Sequence, residues 1–281
     1  MRWLLLLIAL PLIAQPAPEQ TRPQWRLTWN PPTDLYPPYA ADPRRSRHII
    51  GIVNAFDSEL PNSKNLRWGL SIGGTYGIAR LSRAGAPEAA WQLDVEGRFY
   101  SQWDIHHALD EIGHDGRVGA TLIRQIRSDL AFRVAYVHTS SHIGDEYLLR
   151  NNITERLSSR KEEVGTGISW KIDERLRTYV DLGYGLNLGT RNKPLRLQTG
   201  LELEGKPRLR NGRWYAALDV TSFEENDYEV SANLQTGIVF GSAESPRRYR
   251  FGIELYDGRA QLDTFFMFRE RYAVIGMWLD L

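Results

Sequence analysis

Apolar and polar residues alternate with a period of two over most of the chain. From Leu176 to Gly189 the even positions are Leu176, Thr178, Val180, Leu182, Tyr184, Leu186 and Leu188. The odd positions are Arg177, Tyr179, Asp181, Gly183, Gly185, Asn187 and Gly189. Successive side chains on a strand point to opposite faces, so this segment has one apolar face and one small or polar face. The pattern recurs from Leu66 to Ile78, Trp91 to Phe99, Leu195 to Leu201, Val230 to Phe240 and Tyr249 to Leu255. Twelve strands are predicted, near 48–57, 66–80, 89–100, 116–127, 129–141, 161–172, 175–189, 194–205, 213–222, 228–240, 247–257 and 271–281. Several are longer than the ~5–6 residues of an ordinary soluble strand and reach the ~9–11 that cross a bilayer at a tilt.

The connections carry a second pattern. If the first strand runs outward, the outer gaps are 58–65, 101–115, 142–160, 190–193, 223–227 and 258–270, and they include the three longest. Short inner turns and long outer loops are the asymmetry of an outer-membrane barrel. Ile275, Met277, Leu279 and Leu281 continue the alternation to the last residue, like the terminal strand read by barrel-assembly machinery. The predicted fold is all-β, a transmembrane up-and-down antiparallel β-barrel of about 12 strands. Trp68, Trp91, Trp170, Trp214 and Tyr184 suit its headgroup girdles.

Composition by itself points elsewhere. Hydrophobic residues are 42% of the 281, charged residues 25%, and the formal charge is +1. The mean hydropathy of −0.42 is too polar for a bundle of membrane helices. In a barrel only alternate residues face lipid, which removes the contradiction. Near-neutral charge argues against nucleic acid as a partner. There is no cysteine, so no disulfide framework or thiolate chemistry.

The N-terminus is built as an address. Arg2 precedes the apolar run Trp3 to Ala14, and Gln15 follows small Ala14, as in a cleaved signal peptide over 1–14. Residues 15–47 are expected to be a proline-rich periplasmic lead-in, a tail, strap or plug, since eight of the 14 prolines lie between Pro16 and Pro43. Residues 48–281 then form the barrel. Arg67, Asp94, Glu96, Arg98, Arg133, Lys171, Arg177, Asp181, Arg196, Glu202, Asp219, Arg250 and Glu254 are predicted to face the lumen, either as a salt-bridge network or around a narrow channel.

Candidate chemistry lies at the outer end of the fifth predicted strand. Leu130, Phe132, Val134 and Tyr136 form its lipid-facing side, and His138 and Ser140 continue that parity. A histidine two residues from a serine on one face can take the hydroxyl proton, and a third group must orient the imidazole. Asn152 follows His138 by 14 residues; Asp145, Glu146 and Asn151 are other candidates. This spacing resembles the His-x-Ser and Asn or Glu arrangement of the outer-membrane phospholipase A and lipid A deacylase families. The resemblance implies a lipid hydrolase with His138, Ser140 and Asn152 as catalytic residues. The sequence departs from those families at Ser141 and His142, where Asn and Gly are usual.

A wider resemblance rests on four blocks: Tyr39 to Arg44, Ser140 to Leu148, Glu224 to Tyr228, and Tyr256-Asp257-Gly258 with Phe265-Phe266. In order and spacing they resemble family 1207 of bacterial domains of unknown function, regarded as exported outer-membrane proteins. That resemblance implies the bacterial outer membrane as location and no defined activity. Arg259-Ala260-Gln261 lacks the glycine expected in the last block. The later blocks give a polar rim of His142, Asp145, Glu146, Glu224, Glu225, Asp227 and Asp257, whose oxygens suit Ca²⁺ or a divalent bridge to lipopolysaccharide. His107, Asp110 and His114 have a loose zinc-ligand spacing. Expected partners are outer-membrane lipids, lipopolysaccharide and barrel-assembly machinery. Function is expected to be a narrow channel or envelope structural role, or else lipid hydrolysis.

Overall fold

The computed structural model describes residues 24–63, 65–84, 86–154, 158–187, 193–207, 212–241, 245 and 247–280. The signal peptide expected over 1–14, the start of the lead-in and Leu281 lie outside the described residues.

The strands are β1 (Trp25–Trp29), β2 (His48–Ser58), β3 (Leu66–Arg83), β4 (Ala86–Asp104), β5 (Asp110–Arg127), β6 (Leu130–Ile143), β7 (Ser158–Lys171), β8 (Leu176–Asn187), β9 (Leu195–Glu204), β10 (Arg213–Phe223), β11 (Val230–Phe240), β12 (Arg248–Arg259) and β13 (Arg269–Asp280). Neighbours from β2 to β13 pair antiparallel in chain order, and β13 pairs back onto β2, with Leu279 opposite His48 and Glu270 opposite Ser58. This is the twelve-stranded closed barrel. Closure leaves no free sheet edge around the ring, which is what a hydrocarbon environment demands of a sheet.

Parity sorts the side chains as expected. On β8, Arg177, Tyr179 and Asp181 are buried while Val180, Leu182 and Tyr184 are exposed. Large apolar residues on the outward face of every wall strand, among them Ile72, Leu122, Ile168, Leu197 and Ile275, are exposed. Such a continuous apolar belt is a lipid-facing surface rather than the scattered apolar residues of a soluble protein. All five girdle aromatics named above point outward.

The lumen is filled. Arg133 pairs with Asp181 at 2.7 Å, Arg196 with Asp181 at 2.6 Å and Glu163 at 2.8 Å, Arg67 with Glu270 at 2.7 Å, and Arg250 with Asp280 at 2.6 Å. A buried charge is tolerated when it is paired and hydrogen-bonded, so these ions form a polar core in place of an apolar one.

The lead-in completes the filling. β1 and β2 both pair with the same edge of β3, Trp29 opposite Ala79 and Ile49 opposite Ser71, because β4 occupies the other edge. One stave of the wall is thus split, and residues 30–47 between its halves turn into the lumen as a plug. Tyr39 stacks on Tyr179 with ring centroids 3.6 Å apart. Its hydroxyl is 2.6 Å from that of Tyr36 and donates to Asp181 at 3.3 Å. The Ala40 N–H donates to Glu202 at 2.6 Å, and Asn233 donates to the Ala41 carbonyl at 2.6 Å. Gly200 makes room for this stack: a Cβ there would lie 2.1 Å from the Tyr179 hydroxyl.

Two expectations change. The outer gap expected over 101–115 is mostly strand: β4 runs to Asp104 and β5 begins at Asp110. There Ser101 donates to Glu111 at 2.7 Å, and polar pairs hold the hairpin. The second is β1, a strand inside the proline-rich segment, where Trp25, Leu27 and Trp29 point outward.

Candidate active site

β6, the fifth predicted strand, ends in the run His138-Thr139-Ser140-Ser141-His142-Ile143. Strand parity sends Ser141 and Ile143 inward, where both are buried, and sets His138, Ser140 and His142 in a row on the outer face. β5 runs alongside, with Gly116 opposite Ser140 and His114 opposite His142. Glycine beside Ser140 keeps its hydroxyl open on that side.

The hydroxyl of Ser140 lies 3.1 Å from Nε2 of His142. The serine therefore meets the histidine that follows it, not the one before it. His138 instead faces Glu162 of β7, with Nδ1 3.8 Å from the carboxylate. Asn152 lies past the short helix α1 (Asp145–Arg150), exposed, with φ +53° and its N–H on the Leu149 carbonyl. Among the described residues no hydrogen bond joins Asn152 to Ser140, His138 or His142.

Next to the pair is an open groove of about 380 Å³ lined by Glu111, His114, His142, Ile143, Asp145 and Glu146. The His114 and His142 rings are 5.3 Å apart, and His114 Nδ1 is 3.1 Å from Glu111. α1 closes one end of the groove. Arg150 pairs with Asp110 at 2.7 Å and with Asp104 at 3.1 Å, which pins the helix over the β4–β5 turn. Gly144 precedes it where a Cβ would sit 1.9 Å from the Glu111 carbonyl oxygen.

The rest of the expected rim is dispersed. Glu224 accepts the Leu195 N–H, Asp227 pairs with Lys193 at 2.5 Å, and Asp257 with Arg269 at 2.6 Å. Glu225 lies with them in the turn after β10. His107 turns to Asp104 at 2.8 Å, away from His114, so the spacing of His107, Asp110 and His114 does not become a cluster. Among the described residues no three His, Asp or Glu side chains come together as metal ligands.

His114 and Glu111 are the site residues that sequence reasoning left in a loop. They differ in parity, and Ile112 and Gly113 between them are both buried, so no period-two signal marks them.

The chain matches the family described as "Protein of unknown function (DUF1207)" over residues 22–280 and belongs to it. No curated protein matches it. Among solved structures it is similar to the outer membrane phospholipase dimer of Salmonella typhi with bound calcium. The identity is 12% and the TM-score 0.55, covering 88% of this chain and 94% of that one. Outer membrane phospholipase A from Escherichia coli is similar at 12% identity and a TM-score of 0.53, covering 84% and 92%. An active-site mutant of the Escherichia coli protein gives 12% and 0.54, covering 88% and 94%. At this identity the likeness is one of fold.

Proposed function

We propose that the protein is an outer-membrane lipid hydrolase with Ser140 as nucleophile and His142 as general base. The observation that carries the reading is the outward-facing Ser140–His142 contact of 3.1 Å. It lies on the lipid-facing side of the wall, beyond the apolar Val134 and Tyr136 of the same strand. A hydroxyl at that level meets the ester bonds just below outer-leaflet headgroups. His142 Nε2 takes the proton as Ser140 Oγ adds to the ester carbonyl, then returns it to the departing alcohol. Water, activated by the same nitrogen, releases the fatty acid and restores Ser140. Asp145, in the same groove, is the group assigned to orient the imidazole. His138 and Asn152 have no part in this arrangement. Outer-leaflet lipids and lipopolysaccharide are the substrate class, and barrel-assembly machinery is the route of insertion.

The test is fatty-acid release from phospholipid and from lipid A by the folded protein in maltoside micelles. Ser140→Ala and His142→Ala should each lower the rate by about 10³-fold or more, as for residues acting as a unit. His138→Ala should stay within about tenfold, because its partner is Glu162. Equal release by wild type and Ser140→Ala refutes the assignment. No release by wild type favours a second reading, a closed envelope structural barrel, which the filled lumen also supports.

A further inference from the structure

Inside the outer half of the barrel is a chamber that the Ser140–His142 site does not use. The plug turn at Asp42–Arg45 forms part of its lining, as does Asp263 from the β12–β13 connection. About 90 Å³ of it is open to the centres of water-sized molecules. One water position needs ~10–15 Å³, so the space holds a tetrahedral oxyanion with a few waters.

The lining is rich in arginine. Of its six arginines, Arg133 and Arg196 pair with Asp181 and Arg117 pairs with Glu96 at 3.4 Å, while Arg45 and Arg98 have no ion-pair partner among the described residues. Four of the six, Arg44, Arg45, Arg98 and Arg117, carry buried N–H groups with no acceptor, and Arg45 and Arg98 are the most deeply buried of the four. Arg98, 8% exposed, uses Nε on the Ser71 hydroxyl at 3.0 Å, yet its Nη2 is buried and unpartnered. Arg45, 6% exposed, donates to Thr75 at 3.3 Å, and its Nε is likewise unpartnered. A buried guanidinium N–H without an acceptor costs on the order of 1–3 kcal/mol. An oxyanion supplies both an acceptor and a countercharge to these two guanidinium groups.

We propose that this chamber binds a phosphate-type oxyanion between Arg45 of the plug and Arg98 of β4. Planar guanidinium forks match phosphate oxygens in pairs, which is why arginine rather than lysine dominates such sites. The plug supplies one of the two ligating side chains, so the site exists only with the plug seated.

The experiment is calorimetric titration of the folded full chain, in maltoside micelles, with inorganic phosphate, with sodium chloride at matched ionic strength as control. One saturable phosphate per chain is expected, with sulfate competing. Arg98→Met and Arg45→Gln should each weaken binding tenfold or more, while the heat-modifiable gel mobility of the folded barrel is retained. If one variant fails to fold, the other carries the test. Glycerol phosphate distinguishes the source. Binding tenfold tighter than inorganic phosphate assigns the site to a lipid headgroup, and equal binding assigns it to the free ion. Absence of saturable phosphate binding in wild type overturns the proposal, as does binding undiminished in every folded variant. Ser140→Ala should bind phosphate unchanged, so the outcome stands apart from that of the hydrolase.

Discussion

Tyr39→Ala separates the plug from the wall. The side chain has a stacked ring partner at 3.6 Å, a hydroxyl contact to Tyr36 at 2.6 Å, and Arg133 over its face at 4.7 Å. Truncating a buried aromatic costs about 3–5 kcal/mol, and the ring stack and cation lie within that figure because the contacts share one side chain. The wall is held by strand ladders that do not include Tyr39, so the cost falls on plug docking. At about 1.4 kcal/mol per factor of ten, the undocked fraction rises by about two to three and a half powers of ten. Trypsin reports it directly. Arg45 and Arg47 are buried when the plug is seated and become cleavable when it leaves. The cleavage rate in this segment should rise by about that factor in Tyr39→Ala. In Tyr39→Phe, which loses only hydroxyl contacts of about 1 kcal/mol, it should rise less than about tenfold. Planar-bilayer conductance should show steps in the alanine variant and none in wild type. If Tyr39→Ala is cleaved no faster than wild type, residues 30–47 are not held by this stack and the docking argument fails.

Two further outcomes follow from local chemistry. Partial burial, with the Asp94 charge adding to it, pushes the Asp34 carboxyl of the plug up to about 6, against the attraction of Arg45 and Arg80. The docked state therefore holds a proton that the free segment has lost, so docking weakens as pH rises from about 4 to about 6 and is flat above. The change is at most about 3 kcal/mol for a rise of about two pH units, less for the solvent that reaches Asp34. Asp34→Asn should make trypsin resistance independent of pH over that window; a pH dependence equal to wild type refutes the role of Asp34. Gly144→Ala forces a Cβ against the Glu111 backbone and should displace α1, lowering ester hydrolysis and thermal stability together. Thermal unfolding at the wild-type temperature with full activity refutes that placement.

What the sequence shows follows from which face has a demanding neighbour. Lipid requires apolar residues at every second position, so the wall strands and their parity are visible wherever the strand lies in the membrane. β4 and β5 extend beyond it, and there Ser101, Gln102, Glu111 and His114 alternate between partners that are both polar. The period-two signal vanishes although the strand does not. β1 has the signal in Trp25, Leu27 and Trp29, but five residues among prolines carry little weight beside eighteen in β3. Parity also places Ser140 outward, yet it cannot choose between His138 and His142, which share its face. That choice depends on side-chain torsions and on Glu162 of β7 drawing His138 away, and cross-strand register is not written in one strand.

The same parity explains how one short block serves two compartments. In Ser140-Ser141-His142-Ile143, the first and third residues make the outward pair, while the second and fourth are buried. Ser141 donates to Asp115 and accepts the Thr264 N–H at 2.8 Å, and the Asp263 N–H reaches Asp115 at 3.2 Å. Arg44 of the plug donates to the Ala260 carbonyl at 2.9 Å and lies over Phe223 at 5.2 Å. Tyr147 of α1 meets Phe265 edge-on at 5.6 Å. Segments scattered from Arg44 to Phe265 therefore join at the outer end of the lumen, and β6 carries that junction on one face and the Ser140–His142 pair on the other. A change in the seating of the plug reaches β6 through Arg44, the β12–β13 connection and Ser141. The proposed hydrolysis at Ser140 and the docking of the plug thus share a single strand. Tyr39→Ala should therefore alter the hydrolysis rate, although Tyr39 touches neither Ser140 nor His142. A Tyr39→Ala protein that is readily cleaved by trypsin yet hydrolyses lipid at the wild-type rate would show the two faces of β6 to be independent.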